Sequence, residues 1–209
     1  MNPLERRIID LSYEHKLTHI GSCLNAVNII DHTYDVMRPE DKFVLSQGHA
    51  FLALAVVLEK HKGLDAETLV KEHGTHPIRN TKEGIFVSTG SLGQGLTVAV
   101  GMALADKTRD IYVLSSDGEM AEGSCWEALR VASEQKIENI KLAVVANGWA
   151  GYSKVDAEWL DTRLNAFYPT LVIRVNMYSY PEFLQGLKGH YTVLNDEMYK
   201  ELINERKST

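Results

Sequence analysis

Residues 111–147 constrain the fold of this chain more than any others. An apolar run at 111–115 (IYVLS) passes into the acidic glycine turn Asp117-Gly118, then a helical stretch over 122–135, then a second apolar run at 141–146 that ends on Asn147. Strand, turn, helix and strand in that order predict two neighbouring strands of a parallel sheet. Asp117 and Asn147, thirty positions apart, then fall at the same edge of the sheet, both offering oxygen. A carboxylate, an amide oxygen and a loop carbonyl are ligands that a small, hard, octahedral cation takes. Asp-Gly and Asn-Gly are each ordinary turn signals. Their spacing and the strand–helix–strand context tie them to one site.

The rest of the chain extends the same pattern. A helical stripe begins with Leu4, Ile8, Ile9 and Leu11, and a second helix is expected over 26–37, stopping before Pro39. A strand in DKFVLS leads into Ser46-Gln47-Gly48-His49 and a helix over 50–62. Residues 74–90 read as a long loop with a short extended piece at 85–88, followed by a helix over 92–107. Beyond the central unit come a helix at 156–167, a strand at 170–175, a helix at 180–187 and a last helix from Asp196 into the tail. This is an α/β chain with a parallel sheet and helices on both faces. With no linker, repeat or low-complexity tract, residues 1–209 read as one continuous domain. Three polar glycine motifs, SQGH, SSDGE and ANGW, each follow a strand, and ligands in such sheets bind at the carboxyl ends of strands.

Composition removes several classes of function. A net charge of −6 argues against nucleic acid, whose phosphates select basic surfaces. No apolar run approaches a membrane span, and the charged amphipathic start is no secretion signal. Cys23 and Cys125 are too few for a disulfide framework or metal knuckle and read as reduced thiols. A cytoplasmic protein is the expectation.

The motifs resemble the transketolase family. Asp117-Gly118 followed by Asn147 is similar to its thiamine diphosphate motif, in which Mg²⁺ bridges protein and diphosphate. The resemblance implies a thiamine diphosphate-binding fold and Asp117, Asn147 and the Trp149 carbonyl as metal ligands. The stretch TGSLGQGL implies that Gly90 and Leu92 contact the aminopyrimidine, and helix packing is the alternative use of its glycines. LTHIGSCLN, FVLSQGHA and GTHPIRN match family segments. They imply that His19 lies near the reactive carbon, His49 near the diphosphate, and His76 at the donor's terminal hydroxyl. Imidazoles can bond hydroxyls and move protons near neutral pH. Glu122 in AEGSCWEAL is either a helix-terminal carboxylate or, by resemblance, an interface residue bonded to the partner's catalytic glutamate; Glu119 reads as its solvated neighbour. His190 weakly resembles a further His-Gly turn, with a structural role equally open, and His15, His32, His61 and His73 read as surface residues.

Departures accompany the match, which runs from about residue 19 to 147. Ser116 stands for the first glycine of the family motif, tolerable where no positive φ is needed. Ala146 replaces a polar residue, Ser22 and Cys23 stand beside His19 in place of smaller residues, and segment 31–43 is short. In the family a second domain supplies the glutamate that activates the ring, and nothing after Asn147 looks like one. The resemblance therefore implies the diphosphate-binding subunit of a heteromeric transketolase-like enzyme. A separately encoded pyrimidine-binding subunit would join it, in a heterotetramer, and small sugars would be its substrates. It would move a two-carbon ketol unit from a ketose to an aldehyde. The competing readings are a 2-oxo acid decarboxylase component and a degenerate, non-catalytic homologue.

Overall fold

The structure is a computed structural model that describes residues 1–176 and 180–205. Four strands, β1 (Lys42–Leu45), β2 (Ile111–Ser116), β3 (Ile140–Ala146) and β4 (Thr170–Arg174), form one sheet in the order β1-β2-β3-β4. All pairings are parallel, with Leu45 opposite Leu114 and Ser116 opposite Val145. The helices are α1 (Pro3–Glu14), α2 (Ile20–Val36), α3 (Phe51–Lys62), α4 (Ala66–His73), α5 (Gln94–Ala105), α6 (Gly123–Glu134), α7 (Ala157–Phe167), α8 (Lys188–Tyr191) and α9 (Asp196–Glu205).

Strand periodicity sorts the core into two layers. Val44, Ile111, Val113, Leu142 and Val144 point to one face and pack with α5, α6 and α7. Phe43, Leu45, Leu114 and Val145 point to the other and pack with α1, α2 and α3. The alternation is what a two-residue side-chain period demands of strands buried on both sides. The first face is closed. The second is covered only in part: between α2 and the β2–β4 surface lies a groove of about 1080 Å³ lined by Ile29, Val36, Tyr112, Ala143 and Leu171, and Leu171 is 63% exposed. Among the described residues no helix is long and apolar enough to cross a membrane. Cys23 and Cys125 are both free and buried.

The expected elements stand with four corrections. Helix α2 begins at Ile20, not at 26, because His19 takes a left-handed turn (φ 61°) that starts it directly. Its small residues, which read as loop, serve close packing: a Cβ on Gly21 would sit 3.1 Å from the Gly189 carbonyl oxygen. Helix α5 begins at Gln94 because Gly93, at φ +85°, turns the chain into it. The extended piece at 85–88 reduces to a bridge between Asn80 and Ile85. In place of a helix over 180–187 there is a short 3₁₀ turn, Glu182–Leu184, after Pro181. Gly186 at φ +58° then leads into α8. The tail beyond Glu205, into which the last helix was expected to run, lies outside the described residues.

Candidate functional site

Because β1, β2 and β3 are neighbours, their carboxyl ends bring SQGH, SSDGE and ANGW together. They open into one cavity of about 120 Å³, lined among others by Gln47, His49, Asp117, Asn147 and Trp149. Asp117 is 3% exposed. Its Oδ1 accepts from the Gly118 amide at 2.9 Å and its Oδ2 from the Gly148 amide at 2.8 Å. The second bond locks the turn after β2 to the turn after β3. The Asn147 Oδ1 accepts from the Trp149 amide at 2.9 Å, and Gly148 at φ +83° lets the chain double back. Ser116 avoids positive φ, so the lost glycine costs nothing there.

The electrostatics of this edge suit a cation. Burial pushes the Asp117 carboxyl up to about 6, against the pull of the amides of Gly148 and Gly118. Among the described residues no Lys or Arg lies within ion-pair distance of it. A buried carboxylate held by amides alone gains most from a positive charge brought to it. Two further atoms await partners: Gln47 Nε2 and His19 Nδ1 are buried without a hydrogen bond, and Gln47 is 2% exposed. Buried polar groups are ordinarily paired. An amide donor beside an acid–amide edge fits an anionic oxygen and its cation, so the residues fit Mg²⁺ and a diphosphate.

Three imidazoles gather in the same cavity. Ring centroids are 5.1 Å apart for His19 and His49, 6.0 Å for His19 and His190, and 6.1 Å for His49 and His190. Burial first, then the neighbouring imidazoles, pushes His19 down to about 4 and His49 to about 3. Burial also lowers His190, while a bond to the Trp149 backbone works the other way. All three are neutral at physiological pH, able to donate from one nitrogen and accept at the other. The His19 amide donates to the His190 carbonyl at 3.0 Å, and Ser22 Oγ lies 3.4 Å from His190 Nδ1. Ser22 lines the cavity, as do Gly118, Leu92 and His190.

Three expected residues lie outside that lining. His76 is exposed on its loop and stacks over Gly90: a Cβ on Gly90, at φ +153°, would meet the His76 ring at 3.1 Å. Glu122 is exposed at the start of α6 and makes no capping bond with its side chain. Gly90, His76 and Glu122 adjoin the segment that carries Leu92, with a Cβ on Gly93 3.0 Å from the Glu122 Cβ. Two readings are corrected outright. Glu119 is not solvated: it is fully buried, and three donors compensate its desolvation. His73 is not a surface residue, since its side chain is 6% exposed, pairs with Glu83 at 2.8 Å and tilts against Phe51. Gln47 and Glu119 are hard to single out in the sequence because each sits inside a motif whose neighbours carry the stronger signal. Asn25, another lining residue, closes the LTHIGSCLN segment, where His19 carries the signal.

The fold is an open α/β domain with its ligand cavity at the carboxyl edge of the sheet. Residues 27–148 match the family described as transketolase, thiamine diphosphate binding domain, and the chain belongs to that family. It is 36% identical over 162 residues to an apulose-4-phosphate transketolase subunit of Phocaeicola vulgatus, covering 68% of this chain and 57% of the relative. Against the protein of the same name from Actinobacillus succinogenes, identity is 33%, covering 71% and 63%. A 6-deoxy-6-sulfo-D-fructose transketolase subunit from a Clostridium species is 28% identical, covering 83% and 67%. The chain thus spans about three fifths of the length of the first two curated relatives. Transketolase from Leishmania mexicana superposes with a TM-score of 0.67 at 17% identity over 98% of this chain and 44% of that one, a likeness of fold.

Proposed function

We propose that this chain is the diphosphate-binding subunit of a heteromeric transketolase-like transferase. The observation that carries the reading is an acid–amide cation site and a neutral histidine cluster lining one cavity. That cavity, at about 120 Å³, is smaller than the roughly 300–1,000 Å³ of pockets that enclose a small-molecule ligand. A second protein surface would complete it. Three relatives named as subunits support a separately encoded partner.

In this reading Asp117, Asn147 and the Trp149 carbonyl hold Mg²⁺, and the Gln47 amide together with His49 faces the diphosphate. Leu92 and the backbone at Gly90 form the wall for the aminopyrimidine. Thiamine diphosphate, when bound, supplies the carbanion-stabilising ring chemistry that no side chain offers. The chain's residues orient and exchange protons. His19 and His190, neutral and in a partly dry wall, bond substrate hydroxyls and pass protons at them. His76, over Gly90, takes the donor's terminal hydroxyl. Glu122 presents its carboxylate outward to the partner's catalytic glutamate.

The reaction moves a two-carbon ketol unit from a small ketose to an aldehyde, within a heterotetramer. A 2-oxo acid decarboxylase would have no use for a histidine-lined hydroxyl site. A degenerate homologue would not need the intact Asp117–Asn147 edge. The test is co-purification of the chain with its partner followed by a donor screen. The isolated chain is expected to show no ketol transfer and the complex to show it. Turnover by the single chain, freed of any co-purifying protein, would overturn the two-subunit reading.

A further inference from the structure

Glu119 carries the densest polar network among the described residues near the site, and the functional reading assigns it nothing. Its side chain is fully buried. Oε1 accepts from Ser46 Oγ at 2.7 Å and from the Gly93 amide at 2.8 Å, and Oε2 accepts from Ser115 Oγ. Ser46 in turn accepts from the Leu96 amide at 2.9 Å. Ser46 follows β1, Ser115 lies in β2, Gly93 precedes α5 and Leu96 lies in its first turn. One carboxylate thus ties the ends of two strands to the glycine loop, residues 90–95, from which Leu92 reaches the cavity.

The loop is held at its two ends, where Thr89 Oγ1 donates to the Leu45 carbonyl at 2.8 Å and Leu96 is fully buried in the core. Gly93 sits at φ +85° and a Cβ there would meet Ser124 Oγ at 2.2 Å; a Cβ on Gly95 would meet Ser46 at 2.6 Å. The glycines permit the close approach but supply no attraction. Between those two anchors, attraction at Gly93 comes from its bond to Glu119. A buried carboxylate without a cation would ordinarily be costly, and Glu119 makes no ion pair among the described residues, so the three donors are what makes its burial tolerable.

We infer that Glu119 is a positioning residue: its carboxylate fixes loop 90–95 and hence the wall that Leu92 presents to the ligand. The consequence for cofactor binding rests on the proposed function; the tether itself does not. Two substitutions separate bonding from space-filling. In Glu119→Gln the amide oxygen replaces Oε1, keeping Ser46 and Gly93, and the amide nitrogen donates to Ser115, whose hydroxyl can accept. In Glu119→Met the volume stays and all three bonds go.

Hydrogen exchange of the full-length chain, without ligand, reads the tether directly. Glu119→Met should speed exchange at the Gly93 and Leu96 amides by at least about tenfold, and Glu119→Gln should leave both within about threefold of wild type. Titration of thiamine diphosphate with Mg²⁺ onto the complete complex carrying the same substitutions should show affinity falling about tenfold for Met and little for Gln. Equal exchange in Met and Gln would overturn the inference, because only packing would then matter. Faster exchange with unchanged affinity would overturn the link to the wall. Should Glu119→Met not fold, Ser46→Ala decides: exchange should rise at Leu96 and not at Gly93, and an equal rise at both would sink the tether. Absence of cofactor binding by the wild-type complex would count against the functional reading, and the exchange comparison would still decide the role of Glu119.

Discussion

The two walls of the cavity meet the same physical problem with opposite results. On one, burial raises the carboxyl of Asp117 to about 6; on the other, burial lowers His49 to about 3 and His19 to about 4. Desolvation penalises whichever form is charged, so it pushes acids up and bases down. Asp117 is ionised at neutral pH at a cost, and a cation would recover that cost. The histidines are neutral at no further cost, and a cation beside them would be unwelcome. One wall is thus built for a metal and the other for hydroxyls and protons, without a Lys or Arg in the cavity lining.

The largest effect should come from breaking the acidic wall. Asp117→Asn keeps the shape and removes the charge, and Mg²⁺-dependent binding of thiamine diphosphate to the complete complex should fall by more than about a hundredfold. The same change gives up one of the two backbone bonds to Asp117 and should flatten the pH dependence of the ligand-free chain between about pH 4 and 8. A carboxyl raised from 3.8 to about 6 holds its proton longer when folded, so stability falls as pH rises through that window, by on the order of 2–3 kcal/mol at about 1.4 kcal/mol per unit. Calorimetric titration and urea unfolding of the ligand-free variant check the two halves. Unchanged affinity would remove the metal assignment.

The histidine wall should show the opposite slope. His49 and His19 take up protons near 6.5 when unfolded and only near 3 and 4 when folded. Stability is therefore full above about pH 6.5 and is lost as pH falls. The loss for His49 is on the order of 5 kcal/mol by the bottom of the window. His49→Asn should flatten the decline, and Asp117→Asn should steepen it between pH 6 and 4, where the two walls oppose each other. Urea midpoints at a series of pH values measure both. Parallel curves for all three proteins would dissolve the contrast.

The smallest effect concerns His76. His76→Ala should lower kcat/KM of the complex for a hydroxylated ketose by roughly tenfold to a hundredfold, the cost of one charge-assisted hydrogen bond of about 1.5–3 kcal/mol. Use of pyruvate should change far less. Steady-state kinetics on both donors decide it, and equal losses would make His76 a prop for Gly90 rather than a substrate contact.

Much of this geometry is legible in the order of residues. Strands of alternating apolar residues, the turn at Asp117-Gly118 and the stop at Asn147 are local features, and local features are what propensity and periodicity report. The helix start at Ile20 is not legible. It depends on a left-handed His19 and on Gly21 meeting Gly189, a contact between residues far apart in the chain. Likewise the segment 180–187 reads as a helix, yet after Pro181 and a left-handed Gly186 the chain forms a turn and then the short α8. That arrangement brings His190 to within 6.0 Å of His19, centroid to centroid.

Residue order alone set which chemistry was available: one acid and one amide at matching strand ends, and histidines in loops. It set the class of fold as well, because continuous apolar strands alternating with helices call for a parallel sheet covered on both faces. The electrical state of those groups was settled only by folding. Whether Glu119 is solvated or sealed beneath a loop, and whether His49 titrates near 6.5 or 3, depends on how much water and which dipoles surround the group. Those surroundings are assembled from Ser46, Ser115 and Gly93 or from His19 and His190, residues that only the tertiary fold makes neighbours.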